Sequence, residues 1–342
     1  MIYILIILYW PKRLEMYNYC TLFDSNYLTR GLAMYQSLKK HSDHFHLYIF
    51  AFDDTSYHLL KKIDWEFMTI IPLQAFEDGE LLKVKEDRSS GEYCWTCTPS
   101  IIKYSIEKYG LDSCTYLDAD LYFYSDPSVL IEEMENKSVL ITEHRYTPQY
   151  DQSATCGIYC VQFMTFKNDA KGMKVLNWWR NACIEWCYAR FENGKFGDQK
   201  YLDDWVTKFG GVHELCHFGA VAPWNIQQYD IRMEESGLFG LELKTYNTFK
   251  VIFYHFHAVR FVENNRIELG IYKFKKRDIE LLYKPYIKHL AKITNYLRSF
   301  DKNNDYNGVV EKDPFHWKDP LRYVKRKVIG NYNRYKIKDL MG

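Results

Sequence analysis

Short apolar runs alternate with amphipathic stretches through the first third of the chain. Tyr17–Phe23 (YNYCTLF), residues 46–52 (HLYIFAF), 68–73 and 115–117 have the length and aromatic or β-branched content of buried strands. Between them, Leu28, Leu32, Tyr35 and Leu38 recur at helical spacing, as do Leu59, Leu60 and Ile63. A third helix is expected over 98–109, opened by Thr98-Pro99 and closed by Gly110, while the charged residues 77–92 read as a loop. The order β-α-β-α-β-α-β with short connections predicts an α/β fold: a Rossmann-like, open, mostly parallel sheet flanked by helices.

The pattern changes in the second half. Residues 139–141 and 157–166 read as strands, and 169–190 as a long helix burying Met173, Leu176, Trp179, Cys183 and Trp186. Phe196-Gly197-Asp198-Gln199 opens another helix with Leu202, Trp205 and Phe209, ended by Gly210-Gly211. Val221-Ala222-Pro223-Trp224-Asn225 is a rigid turn, and 251–257 (VIFYHFH) is a strand with His255 and His257 on one face. From about residue 270 the chain reads as helical, basic and rich in tyrosine. The expected organisation is 16–270 as the main domain, with halves 16–127 and 128–270, followed by a basic helical C-terminal extension over 271–342.

Thirty Tyr and 21 Phe with only 17 Gly and 9 Pro describe a packed globular chain, not a disordered one. Nine Cys without regular spacing predict reduced thiols and a cytoplasmic setting. Cys94-x-x-Cys97 has no second CxxC to complete a zinc site, and buried thiols are the expectation. Net charge is +1, but 271–342 carries 18 Lys/Arg against 8 Asp/Glu, a net +10 that leaves the remainder at −9. An acidic body argues against nucleic acid as a partner. The basic tail, with its interleaved Tyr and Ile residues, suits a peripheral contact with an anionic membrane surface. Residues 1–10 are apolar but about half the roughly 20 residues needed to span a bilayer. Met16 precedes the first strand directly, so 1–15 reads as a possible overlong N-terminus.

Chemistry concentrates at Tyr116-Leu117-Asp118-Ala119-Asp120. Two carboxylates at i and i+2 on an extended strand share a face, and two like charges so close call for a cation between them. A hard divalent metal with oxygen ligands, Mn²⁺ or Mg²⁺, is the natural guest. In an open parallel sheet, ligands bind beyond the carboxyl ends of the strands. Asp24, Asn26, Asp118 and Asp120 all fall there.

These residues resemble the motifs of GT-A-fold nucleotide-sugar glycosyltransferases, most closely glycosyltransferase family 8 of the bacterial surface-polysaccharide type. Phe23-Asp-Ser-Asn-Tyr27 resembles that family's first-strand motif and Tyr116–Asp120 its DxD. Gly197-Asp-Gln199 resembles its Asp-Gln, and His255-Phe-His-Ala258 its His-x-x-Gly. The resemblance covers roughly residues 17–260. It implies a metal-dependent, retaining hexosyltransferase using a UDP-sugar donor, a UDP-hexose in that family's pattern, and a glycan or lipid-linked acceptor in polysaccharide or lipopolysaccharide synthesis. It implies metal ligands Asp118, Asp120 and His255, with His257 as the alternative and Asp118 also able to meet the ribose. Donor contacts would come from Asp24, Asn26, Tyr27, Asp118, Lys103 and Arg260, and the transferred sugar would lie beside Asp198 and Gln199. Ala258 stands where the family has Gly, Val259-Arg260-Phe261 where it has Lys-Pro-Trp, and Cys156-Gly157 where it has Asn/Ser-Gly. The alternative is a catalytically inactive nucleotide-sugar or carbohydrate-binding module on the same fold. A haloacid-dehalogenase-like phosphatase also carries Asp-x-Asp after a strand, but Leu121-Tyr122 does not match the Gly-Thr/Val it expects.

Overall fold

The computed structural model describes residues 16–311 and 317–342; the apolar run 1–10 and the possible overlong start 1–15 lie outside the described residues. β1 (Tyr17–Phe23), β2 (Phe45–Ala51), β3 (Met68–Pro72) and β4 (Ser113–Leu117) pair in parallel. After β5 (Leu121–Phe123) come β6 (Val139–Glu143), β7 (Tyr159–Lys167) and β8 (Val212–Glu214). These complete a seven-stranded sheet in the order β3-β2-β1-β4-β7-β6-β8, with β7 antiparallel to both β4 and β6. The chain steps outward from β1 to β3 and then returns to place β4 on the other side of β1. The strand order reverses there, and a crevice opens between the carboxyl ends of β1 and β4.

The helices follow from the expected apolar faces, with corrections. Leu28–His41 buries Leu28, Leu32, Tyr35 and Leu38. Residues 77–92 are not a loop: Gly79–Lys85 is helical, because the Asp78 carboxylate caps it through the amides of Glu80 and Leu81 and Leu81 is buried. The next helix starts eight residues before the expected 98 and runs Ser90–Tyr109. A Ser89/Glu92 capping box opens it, and Pro99 lies inside it. Burial of Tyr93, Thr96 and Cys97 on the first turns outweighs the roughly 3 kcal/mol that an interior proline costs. Gly110 closes the helix at φ 62°. The helix expected over 169–190 is shorter, Ala170–Glu185, and Trp186 is extended. Cys183 lies in that helix, Cys187 beyond its end, and both are buried. All nine cysteines carry free thiols.

The second half adds smaller sheets. β9 (Ala220–Val221) precedes the antiparallel meander β10 (Tyr229–Glu234), β11 (Gly237–Glu242) and β12 (Thr248–Lys250). The strand expected over 251–257 is shorter, β13 (Phe253–His255), and it lies between β5 and β9. β14 (Arg260–Val262), β15 (Arg266–Glu268) and β16 (Arg334–Lys336) form another small sheet, so the C-terminal part is not wholly helical. The helix Lys284–Leu297 packs on Leu28–His41 and sinks Tyr286, Ile287, Leu290 and Leu297 into the same core as β1. Among the described residues, no helix is long and apolar enough to cross a membrane.

Candidate functional site

β4 ends at Leu117, and the chain turns at once: the Leu121 amide donates to the Asp118 carbonyl at 3.1 Å. The carboxylates of Asp118 and Asp120 therefore converge through a turn, not through the extended alternation expected from the sequence. β5 follows and pairs antiparallel with β13, placing His255 opposite Leu121. The Phe256 amide donates to the Asp120 carbonyl at 3.0 Å. This pairing delivers the imidazole: His255 Nε2 lies 3.0 Å from Asp120 Oδ1 and 3.6 Å from Asp118 Oδ2. The three side chains form a cluster that can offer two oxygens and one nitrogen to a single ion, with those atoms within 4.8 Å of one another.

The electrostatics of the cluster are unbalanced. Burial pushes Asp118 up to about 6, with His255 opposing and Asp120 adding to the rise. Burial also opposes ionisation of Asp120, but His255 wins and holds it down at about 2. Burial alone would lower His255, yet Asp120 and Asp118 together raise it well above its usual value. His257, on the same side, is lowered to about 4 by burial and by His255. Two oxygens and an imidazole nitrogen, buried and carrying one carboxylate that resists ionisation, fit a divalent cation.

The cluster lies on the wall of a cavity of about 700 Å³. Asp24, Asn26 and Tyr27 line its β1 side, and Asp198 and Gln199 its far side. The Asp24 carboxylate is engaged in capping, accepting from the amides of Asn26 and Tyr27. Asp198 is buried, and burial followed by the charge of Asp118 raises its carboxyl well above the usual range. Gln199 donates through Nε2 to the Cys156 carbonyl at 2.8 Å. Gly197 has φ 50°, and a Cβ there would stand 3.3 Å from the Trp95 ring, so glycine lets the Asp-Gln turn pass beneath the indole.

Two expected donor contacts lie elsewhere. Lys103 does not line the cavity; its ammonium bonds Asn177 at 2.8 Å and Glu107 at 3.0 Å. Arg260 is exposed on β14, paired with Glu268 at 2.9 Å, and is also absent from the cavity lining. Ala258 keeps a backbone suited to the glycine it stands for, at φ 64°. Several nearby residues went unnoticed in the sequence. Arg30 is buried beneath Tyr27, its guanidinium 4.4 Å from the ring centroid, and its charge helps to lower Asp120. His144 and Trp224 line the cavity, and the Trp224 indole packs edge-on against His255, with centroids 5.3 Å apart. Gln162, on β7, bonds His255 Nδ1 at 2.8 Å. A lone amide inside the apolar run YCVQFMTF was a readable signal, since a buried polar group needs a partner.

No protein-family model matches the chain. It is 31% identical over 294 residues to the uncharacterized protein YfnD of Bacillus subtilis (strain 168), covering 83% of this chain and 91% of YfnD. With YfnF of the same organism it shares 30% identity over 304 residues, covering 86% of this chain and 98% of YfnF. The chain belongs to the YfnD and YfnF family. Among solved structures, this YfnD-family protein is similar to the galactosyltransferase LgtC in complex with donor and acceptor sugar analogs. The TM-score is 0.52 at 10% identity, covering 82% of this chain and 99% of LgtC. The fold is of the GT-A glycosyltransferase type, with a mostly parallel central sheet between helices.

Proposed function

We propose that the chain is a metal-dependent glycosyltransferase that moves a sugar from a nucleotide-diphosphate donor, a UDP-hexose in the first instance, to a glycan or lipid-linked acceptor. The observation that carries this reading is the Asp118–Asp120–His255 cluster at the reversal of strand order, on the wall of a cavity large enough for a nucleotide-sugar. Asp118, Asp120 and His255 would hold Mn²⁺ or Mg²⁺, which when bound would offset the charge that develops on the leaving diphosphate. Asn26 and Tyr27 would hold the base, with Asp24 shaping their turn. Asp198, buried at the cavity wall, would hydrogen-bond a sugar hydroxyl. Gln199 would present its free oxygen on the same side and orient the anomeric carbon. Such positioning contributes several kcal/mol to a barrier reduction.

The reading is tested by nucleotide release from a panel of UDP-sugars with and without Mn²⁺. Release that depends on Mn²⁺ and increases with an acceptor is the expected result. Tight donor binding with no release from any sugar would instead mark an inactive binding module.

The acceptor side of the proposal draws on the helix Asp319–Ile329, which buries none of its residues. Leu321, Val324 and Val328 form one exposed apolar stripe, with Arg322, Lys325, Arg326 and Lys327 around it. An apolar stripe among cations suits the surface of an anionic leaflet, where lipid-linked acceptors reside. The chain should sediment with anionic vesicles at low salt and leave them at high salt; indifference to vesicles at low salt would sink the membrane part alone.

A further inference from the structure

β7 carries a single amide, Gln162, which is wholly buried. It bonds both segments that bear the cluster. Its main-chain carbonyl accepts from the Asp118 amide at 3.0 Å. Its side-chain Oε1 lies 2.8 Å from His255 Nδ1. An amide oxygen can only accept, so in this arrangement the hydrogen sits on Nδ1. The other ring nitrogen, Nε2, is then the one turned to Asp120 and Asp118, at 3.0 and 3.6 Å. Gln162 Nε2 has no hydrogen-bond partner among the described residues. A residue kept only for packing would avoid that cost, since leucine or methionine fills a similar volume.

We propose that Gln162 is the positioning residue of the cluster: it fixes the ring plane of His255 and keeps Nε2 facing the two carboxylates, ready for a divalent cation. The inference rests on the metal-dependent reading above. It explains why β7 takes an amide at 162 and not another apolar residue. It also makes β7 a third contributor to the site, joining the turn after β4 to the end of β13. Partners of this kind, bonded to a ligand's second nitrogen, commonly change metal affinity by about 10-fold to 100-fold when removed.

The test uses the full chain and Mn²⁺ alone, without donor, followed by electron paramagnetic resonance. Gln162→Leu should weaken Mn²⁺ binding by about 10-fold to 100-fold. Gln162→Glu, whose carboxylate can still accept from Nδ1–H, should restore most of the affinity. A second readout needs no metal: nitrogen-resolved NMR of the unaltered protein should show a slowly exchanging His255 Nδ1–H, and Gln162→Leu should lose it. Unchanged Mn²⁺ binding in Gln162→Leu overturns the proposal, as does equal loss in both variants or an Nδ1 that carries no hydrogen in the unaltered protein. If the unaltered protein binds no Mn²⁺, the metal-dependent reading falls, while the Nδ1–H signal still decides whether Gln162 sets the ring.

Discussion

Among the described residues, two places set a histidine against a carboxylate. His255 Nε2 lies 3.0 Å from Asp120, and His213 Nε2 lies 2.7 Å from Glu133, with the Cys216 thiol close by. By ligand type alone the second cluster is as good a metal site as the first. Its carboxylate, however, is already engaged. Glu133 accepts from the amide of Cys216 at 2.5 Å and from that of His217 at 3.0 Å, so it pins the loop after the edge strand β8. Burial opposes its ionisation, but those amides and His213 hold it below the ordinary glutamate range. Asp118 shows the reverse: burial pushes it up to about 6, because His255 and a single hydroxyl donor, Tyr116 at 2.9 Å, do not offset it. A carboxylate satisfied by the backbone has little to gain from an ion. A buried one left in excess has much to gain, and it is the excess, more than the ligand roster, that distinguishes a candidate site.

The largest effect expected from this contrast is at Asp120. Asp120→Asn keeps the shape and removes the charge, and should cut nucleotide release at least about 100-fold, near 3 kcal/mol on the barrier. Circular dichroism should show an intact fold. Near-normal release with added Mn²⁺ would erase the distinction between the clusters.

Glu133 should behave in the opposite way. Glu133→Ala strands two backbone amides and a histidine, which should cost about 2–3 kcal/mol of stability by urea denaturation. Mn²⁺ stoichiometry and nucleotide release per folded molecule should not change. Loss of one bound metal in that variant would show that the edge cluster is a site after all.

Much of this was legible in the sequence because it is written in local pattern. The short apolar runs and helical faces of residues 17–117 give the strand and helix order, and Asp-x-Asp after a buried strand marks the crevice. What was not legible depends on contacts distant along the chain. The helix start at Ser90 was hidden because Thr98-Pro99 mimics an N-terminus and competes with the local Ser89/Glu92 box; burial of Tyr93, Thr96 and Cys97 favours the earlier start. Lys103 looked available as a cation until Asn177, 74 positions away, came to meet it. Gln162 and His255 are 93 positions apart, and nothing local to either pairs them. The family motifs supplied the grouping of Asp118, Asp120 and His255, whereas the turn that brings the two carboxylates together is visible only in the fold.

A smaller effect separates the clusters by pH. In the metal-free protein, the folded value of Asp118 is raised to about 6, so stability falls as pH climbs from the ordinary aspartate value through about 6. His255 is also raised, so the stability it contributes is fully present below its ordinary value and is lost as pH rises through its folded one. Both signs make the metal-free protein more stable at about pH 5.5 than at about pH 7.5 as far as this cluster is concerned. Mn²⁺ binding must run the other way, because the ion needs Asp118 ionised and His255 Nε2 unprotonated; each proton displaced is worth up to about tenfold in affinity per pH unit. Glu133, held low, stays ionised across this window and adds no slope of its own. Thermal melts and Mn²⁺ titrations at about pH 5.5, 6.5 and 7.5 should therefore give opposite slopes in the unaltered protein. In Asp120→Asn both slopes should flatten, since the larger of the two charges that raise His255 is gone, and in Glu133→Ala both should persist. Slopes that follow Glu133 instead would move the titrating cluster to the sheet edge.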